Sequence, residues 1–280
     1  LPLNKPEWWS AGKGTIAGIT IGFIGAYLPE SHFRQVIHRG KTVGQWILTH
    51  LFSKLIPIFV LGFVARMSET KLLHQVVHHY GQLLIWLVFF LALYILSLFF
   101  IGNGLSPSRL VRSIKNLLPA GGISFSSGCS LSTMPWTIEG AAKNCKNPDL
   151  AKAVIPATTN IQQIGDCITN AFLCFLIYRH FYGQSPDLAT WLHFSIIFVL
   201  ARFATAAVLG GTIFIMLPIY ETYLSFNTEM IAIILAFNVI LDPLVTSCNV
   251  MANGALCPIF EKGWLFASQK WRAKKEELSN

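Results

Sequence analysis

Apolar blocks separated by short charged clusters set the pattern of this chain: no Asp, Glu, Lys or Arg occurs from Leu72 to Ser108, from Phe203 to Tyr220, or from Pro243 to Phe260. Each block can hold the roughly 17–25 apolar residues that a membrane-spanning helix needs. Hydropathy and the loop signals between blocks predict spans at Gly14–Leu28 (short for a full crossing), Trp46–Ala65, Gln82–Ile101, Leu150–Tyr178 and Met230–Phe260. Two further apolar regions, Ser106–Ala142 and Ala189–Thr228, are interrupted in the middle. The first is broken by Gly121-Gly122 and Ser126-Ser127-Gly128-Cys129-Ser130, the second by Gly210-Gly211-Thr212 and Pro218. Backbone that leaves the helix at membrane depth is tolerated only where it is buried in protein or lines a cavity. Both regions are therefore predicted to be re-entrant helical hairpins; two ordinary spans with flexible glycines are the bland alternative. The expected fold class is an all-α polytopic membrane protein, with transmembrane helices and two re-entrant hairpins.

Composition supports lipid as the solvent. Of 280 residues, 53% are apolar and only 12% charged, against about 25% charged in ordinary soluble domains. The net charge of +8 does not form a basic stripe interleaved with stacking aromatics, so nucleic acid is not an expected partner. Instead it reports topology. With the Lys270-Trp271-Arg272-Ala273-Lys274-Lys275 tail on the cytoplasmic side, segments 29–45, 102–149 and 261–280 carry thirteen Lys and Arg. The opposite side carries five: Lys5, Lys13, Arg66, Lys71 and Arg179. This asymmetry supports hairpins entering from opposite faces. Residues 82–145 and 150–228 then form an inverted-topology repeat, an architecture in which substrate and coupling ions meet discontinuous helices near the bilayer midplane. A secondary transporter is the function this organisation implies.

Cys129, Cys145, Cys167, Cys174, Cys248 and Cys257 contain no C-x-x-C pair and mostly sit in apolar surroundings, so they read as small apolar filler. His74, His78 and His79 read as interfacial histidines rather than metal ligands. The chain lacks an initiating Met and a basic-then-apolar leader, and reads as N-terminally trimmed.

Polar residues inside the spans carry the chemistry. Asp242 stands in an apolar setting, where an unpaired carboxylate costs at least about 2.5 kcal/mol. Its nearest base in the same segment, Lys262, lies about 30 Å along the helix at 1.5 Å per residue. A cationic substrate group or a coupling ion is the better partner. Thr246, Asn249 and Asn253 follow on the same helical face. Thr158-Thr159-Asn160-Ile161-Gln162-Gln163 and Asp166 form a second polar cluster inside Leu150–Tyr178, expected to line the same cavity. A plain helix-packing hydrogen bond is the alternative for Asp166.

At this point the residues resemble the dicarboxylate/amino acid:cation symporters, the fold of the glutamate and neutral amino acid transporters, from about Trp46 to Lys262. Cys129-Ser130-Leu131-Ser132-Thr133-Met134-Pro135 looks like the Ser-rich tip of the first hairpin. Ala157-Thr158-Thr159-Asn160 looks like the start of the seventh helix. Thr205-Ala206-Ala207-Val208-Leu209-Gly210-Gly211 is similar to the Gly-rich tip of the second hairpin, and Ile240-Leu241-Asp242 with Thr246 and Asn249 follows the eighth-helix pattern D-x-x-R-T-x-x-N. The resemblance implies that Asp242, with Thr246 beside it, holds a substrate ammonium. Asn249, Ser130 and hairpin-tip amides such as that of Gly210 hold the substrate carboxylate. Exposed helix-end N–H groups suit such an anion.

The departures narrow the expectation. Val245 replaces the Arg that grips an acidic side chain, so a neutral amino acid is expected, with Arg202 as the residue that would compensate. Gln162 and Asn253 replace two carboxylates of the cation sites. Asn160, Gln162, Asn253 and the carbonyls near Thr205 are left as candidate sodium ligands of reduced strength, and Asp166 as a proton-coupling candidate. No other cofactor is implied, and no nucleophile–base pair supports an enzyme. By resemblance, residues 1–70 are a partial scaffold and trimerisation region, 71–262 an elevator-like transport domain, and 263–280 a basic cytoplasmic tail. The first family helices lie outside this chain, and the partners are an amino acid, the bilayer and two further copies in a homotrimer. An acidic or dicarboxylate substrate, a channel and a sensor member of the same fold remain open.

Overall fold

A computed structural model describes residues 72–104, 106–159, 161–204 and 211–277, with isolated positions (Ala17, Gly18, Thr20, Ile21, Ile24, Gln35, Arg39, Val43 and Trp46) before them. Among the described residues all regular structure is helical: α1 Leu72–Asn103, α2 Pro107–Ser127, α3 Met134–Ala142, α4 Pro148–Thr158, α5 Ile164–Tyr182, α6 Leu188–Ala204, α7 Gly211–Leu224 and α8 Thr228–Glu277. The expected spans Gly14–Leu28 and Trp46–Ala65 lie outside the described residues, isolated positions apart. Among the described residues, two helical stretches are long and apolar enough to cross a membrane, Gly81–Asn103 at mean hydropathy 2.8 and Thr228–Ser268 at 2.0. The predicted spans Gln82–Ile101 and Met230–Phe260 fall inside them. At 50 residues α8 runs roughly 75 Å, beyond the ~30 Å hydrocarbon layer.

One predicted span is corrected. Leu150–Tyr178 is not a continuous helix but two, α4 and α5, separated by 159–163. Threonine hydroxyls compete with the backbone ladder here: Thr159 Oγ1 donates to the Ile155 carbonyl at 2.6 Å, and Thr158 Oγ1 lies 2.7 Å from that of Val154. The amides of Ile161 and Gln162 both fold back onto the Thr158 carbonyl, at 2.9 and 2.7 Å. Pro156, inside α4, further weakens the ladder.

The first interrupted region forms a helix–turn–helix. Helix α2 begins with Pro107 in its first turn and ends at Gly128, whose φ of 59° is the left-handed cap conformation that glycine adopts without penalty. Its N–H returns to the Ser124 carbonyl at 2.9 Å. In the turn, the Ser132 and Thr133 hydroxyls both donate to the Cys129 carbonyl before Pro135 opens α3. The arms approach closely: a Cβ on Gly140 would fall 2.5 Å from the Asn116 carbonyl oxygen, so only glycine fits. Around the second interruption, α6 and α7 pack against each other, while its tip, 205–210, lies outside the described residues.

The chain divides into two compact units, Gln82–Ile168 with Leu241–Asn280 and Leu1–Gly81 with Thr169–Ile240; α1, α5 and α8 contribute to both. In the first, the broken-helix unit, α1, α2 and α8 share a core of Leu98, Phe99, Leu110, Leu117, Ala252 and Ala255. A second cluster joins α3, α4 and α8 through Ala141, Ala151, Ile155 and Cys257. The other unit, the aromatic unit, is built on Phe194 and Phe198 of α6, Tyr220 of α7 and Phe226, with ring centroids 5.3–6.3 Å apart.

Candidate functional site

Within the broken-helix unit, the interruption between α4 and α5 lies against α8. Gly165 makes this possible, because a Cβ there would come within 2.9 Å of the Val245 carbonyl oxygen and 3.0 Å of Asn249 Oδ1. With no side chain in the way, the Gly165 N–H donates to Asn249 Oδ1 at 2.8 Å. Asn249 Nδ2 in turn donates to Asp166 Oδ2 at 2.6 Å. One turn along α8, Asn253 Oδ1 accepts from the Thr158 hydroxyl at 2.6 Å while its Nδ2 donates to Thr159 Oγ1 at 3.1 Å. Two asparagines four residues apart thus splice the break, one at each end. A buried hydrogen bond contributes only about 0.5–1.5 kcal/mol net, but an orphaned buried polar group costs about 1–3. The splice therefore fixes where the break must sit.

Beside it is a cavity of ≈ 10 Å³ lined by Ser130, Thr137, Thr159, Gln162, Asn249, Val250 and Asn253. Five of the residues singled out by the sequence meet there: Ser130 of the hairpin tip, Thr159 and Gln162 of the break, and Asn249 and Asn253 of α8. Gln162 is 9% exposed, and both its amide atoms lack a hydrogen-bond partner. Asp242 stands at the first-hairpin tip, where a Cβ on Gly128 would lie 3.3 Å from its Oδ2. Val245 and Thr246 are buried on α8 in the same unit. Asn160, Thr205 and Gly210 lie outside the described residues, as do the side chains of His74, His78 and His79.

Two features escaped the sequence reading. Glu261, 8% exposed, accepts from the backbone N–H groups of Lys146 (2.9 Å) and Asn147 (2.6 Å), clamping the α3–α4 loop onto α8. The lone acid ending the charge-free stretch of α8 was the available signal. Nearby, a ladder runs from Asn116 through Asn144 to the Ser113 carbonyl, and the Ser113 hydroxyl donates to Asn103 Oδ1 at 2.6 Å. It ties the base of the first hairpin to α1. In the aromatic unit, Asn170 Oδ1 accepts from Tyr220 (3.1 Å) and Asn238 (2.9 Å). Arg202, the residue expected to compensate for Val245, is buried there with its guanidinium 5.5 Å from the Phe198 ring centroid.

A carboxylate at the first-hairpin tip and a helix break spliced by two asparagines thus lie in one unit, in a chain with two helical stretches apolar enough to cross a membrane among its described residues. Residues 15–262 match the Sodium:dicarboxylate symporter family, a stretch that reaches back from the resembling segment to include the short Gly14–Leu28 block. No curated protein and no solved structure matches the chain. The match covers most of the chain, so the protein belongs to the sodium:dicarboxylate symporter family, a family of membrane transporters.

Proposed function

We propose that this symporter carries a neutral amino acid and couples its movement to a proton at Asp166, with sodium in a reduced role. The observation that carries the reading is the environment of Asp242: a carboxylate against the tip of the first hairpin, with Val245 and not a cation one turn along α8. Asp242 takes the substrate ammonium, and nothing fixed and positive on that face receives a second carboxylate. The substrate carboxylate goes to Asn249 and the first-hairpin tip near Ser130, with the Gly210 region closing the site.

Proton coupling follows from the Asn249 bond. Its Nδ2 is engaged by Asp166, so a substrate carboxylate reaches it only when Asp166 gives it up. Protonation of Asp166 weakens that bond, so proton and substrate enter together. Sodium affinity falls because Gln162 and Asn253 bring no charge to the candidate sites that also involve Asn160 and Thr205. The two interrupted regions act as re-entrant hairpins of an inverted repeat. Residues 71–262 move as an elevator domain against a trimeric scaffold that includes 1–70, with the 263–280 tail cytoplasmic.

A second reading, an acidic or dicarboxylate substrate, is favoured by the family's name and by the buried Arg202. Uptake into proteoliposomes decides between them. Alanine, serine or leucine should outcompete glutamate, aspartate and succinate, and an inward proton gradient should drive uptake; the reverse order of competition sinks the proposal. Asp166→Asn should remove the dependence on the proton gradient.

A further inference from the structure

The cavity beside the splice is lined by uncharged groups, most of them already hydrogen-bonded. Asn249 Oδ1 accepts from Gly165, Asn253 Oδ1 accepts from Thr158, and Thr159 Oγ1 accepts from Asn253. The Thr137 hydroxyl donates to the Thr133 carbonyl at 3.1 Å. No carboxylate lines the space. The buried Gln162 amide faces it with both atoms unpartnered, presenting a donor and an acceptor together.

Three considerations select the occupant. The volume of ≈ 10 Å³ is about that of a single water, for which roughly 10–15 Å³ suffices. A cation would satisfy Gln162 Oε1 but leave Nε2 facing a positive charge, whereas one water accepts from Nε2 and donates to Oε1. Finally, a bare cation entering an uncharged site loses its hydration shell without a compensating charge. We propose that this cavity is a one-water site in which Gln162 holds a neutral bridge between the Ser130 tip and α8, locking the first hairpin without an ion. This rests on the reduced-sodium reading above and locates it at one side chain.

The test is thermal stability of the purified full chain without substrate, in sodium chloride against choline chloride. Gln162→Leu should lower the melting temperature equally in both salts, because the bridge is lost and no ion was involved. Gln162→Asp, or Gln162→Glu if that variant misfolds, should gain a stabilisation that saturates with sodium, as mass action requires of a newly formed ion site. Saturable sodium stabilisation of the unsubstituted protein that Gln162→Leu abolishes would overturn the proposal, as would a Gln162→Leu variant as stable as the parent. If sodium stabilises the parent and Gln162→Leu alike, sodium binds elsewhere: the reduced-sodium reading then fails while the water site stands. Substrate identity does not enter, so an acidic substrate would sink the uptake proposal and leave this result unchanged.

Discussion

The two units hold their helices together by opposite means. In the broken-helix unit, glycines let backbones meet and polar side chains close the gaps: Gly165 and Gly140 sit where any Cβ would collide with main-chain oxygen, and Asn249, Asn253 and Glu261 bond backbone or hydroxyl groups across the contacts. In the aromatic unit, large rings fill the space, with Phe194 against Trp191, Phe198 and Tyr220. Ring packing asks for no fixed hydrogen-bond geometry and even seats the Arg202 guanidinium against Phe198. Polar splicing specifies one register, because each amide has a unique set of partners. The difference separates where stability is concentrated from where chemistry is held. Substitutions in the ring cluster of the aromatic unit should cost folding and leave ligand responses alone, while those at the splice of the broken-helix unit should change both.

The largest effect is expected at Phe194, which is fully buried. Phe194→Ala removes a ring from the centre of the cluster, at a cost of about 3–5 kcal/mol. Its melting temperature should drop sharply, while the substrate concentration giving half-maximal uptake in the surviving protein stays at the parent value. A shifted half-saturation would break the comparison, since it would give the ring cluster a part in binding.

Gly140→Ala is the counterpart in the broken-helix unit. The new Cβ meets the Asn116 carbonyl oxygen, which a rotamer change cannot relieve. Overpacking of this kind costs about 1–3 kcal/mol. The hairpin arms must separate, so substrate affinity should fall along with thermal stability. Glu261→Gln comes next: the side chain keeps its shape but loses the charge that receives two backbone N–H groups, and one of its ends becomes a donor facing a donor. About 1–2 kcal/mol of the charge-assisted bonding should be lost, read as a lower melting temperature and faster amide exchange at Lys146 and Asn147.

How much of this was legible beforehand depended on how far apart the partners lie. Hydropathy located α1 and α8, and the glycine and serine runs located the first helical turn, because these signals are local. The polar residues of α8 were also identified, since an Asp among apolar neighbours is conspicuous in one dimension. The break at 159–163 was not, because threonine serves equally inside a helix and at its end. Its partners Asn249 and Asn253 lie 84 residues from Gly165 and 95 from Thr158, and no local pattern records that pairing. Glu261 was hidden for the same reason, 115 residues from Lys146. Asp166 shows the limit from the other side: the sequence singled it out, but its engagement with Asn249 required the fold.

The smallest expected effect lies in the aromatic unit but outside its core. Asp187 starts α6 as an exposed cap, its carboxylate accepting from the Thr190 hydroxyl at 2.6 Å and the Thr190 N–H at 3.0 Å. The hydroxyl bond, with the N–H bonds behind it, holds this carboxyl below its ordinary range. A depressed folded value means that the ionised form contributes stability above the unfolded pKa of about 3.9, and that the contribution fades as pH falls through the lower folded value. Asp187→Asn keeps the cap's shape and removes the charge. Its melting temperature should lie slightly below the parent's at neutral pH, with the difference closing below about pH 4. Uptake should be unchanged throughout, because the cap supports a helix in the unit that packs by rings. A pH-dependent change in uptake caused by Asp187→Asn would mean that charge in this unit also reaches the transport chemistry.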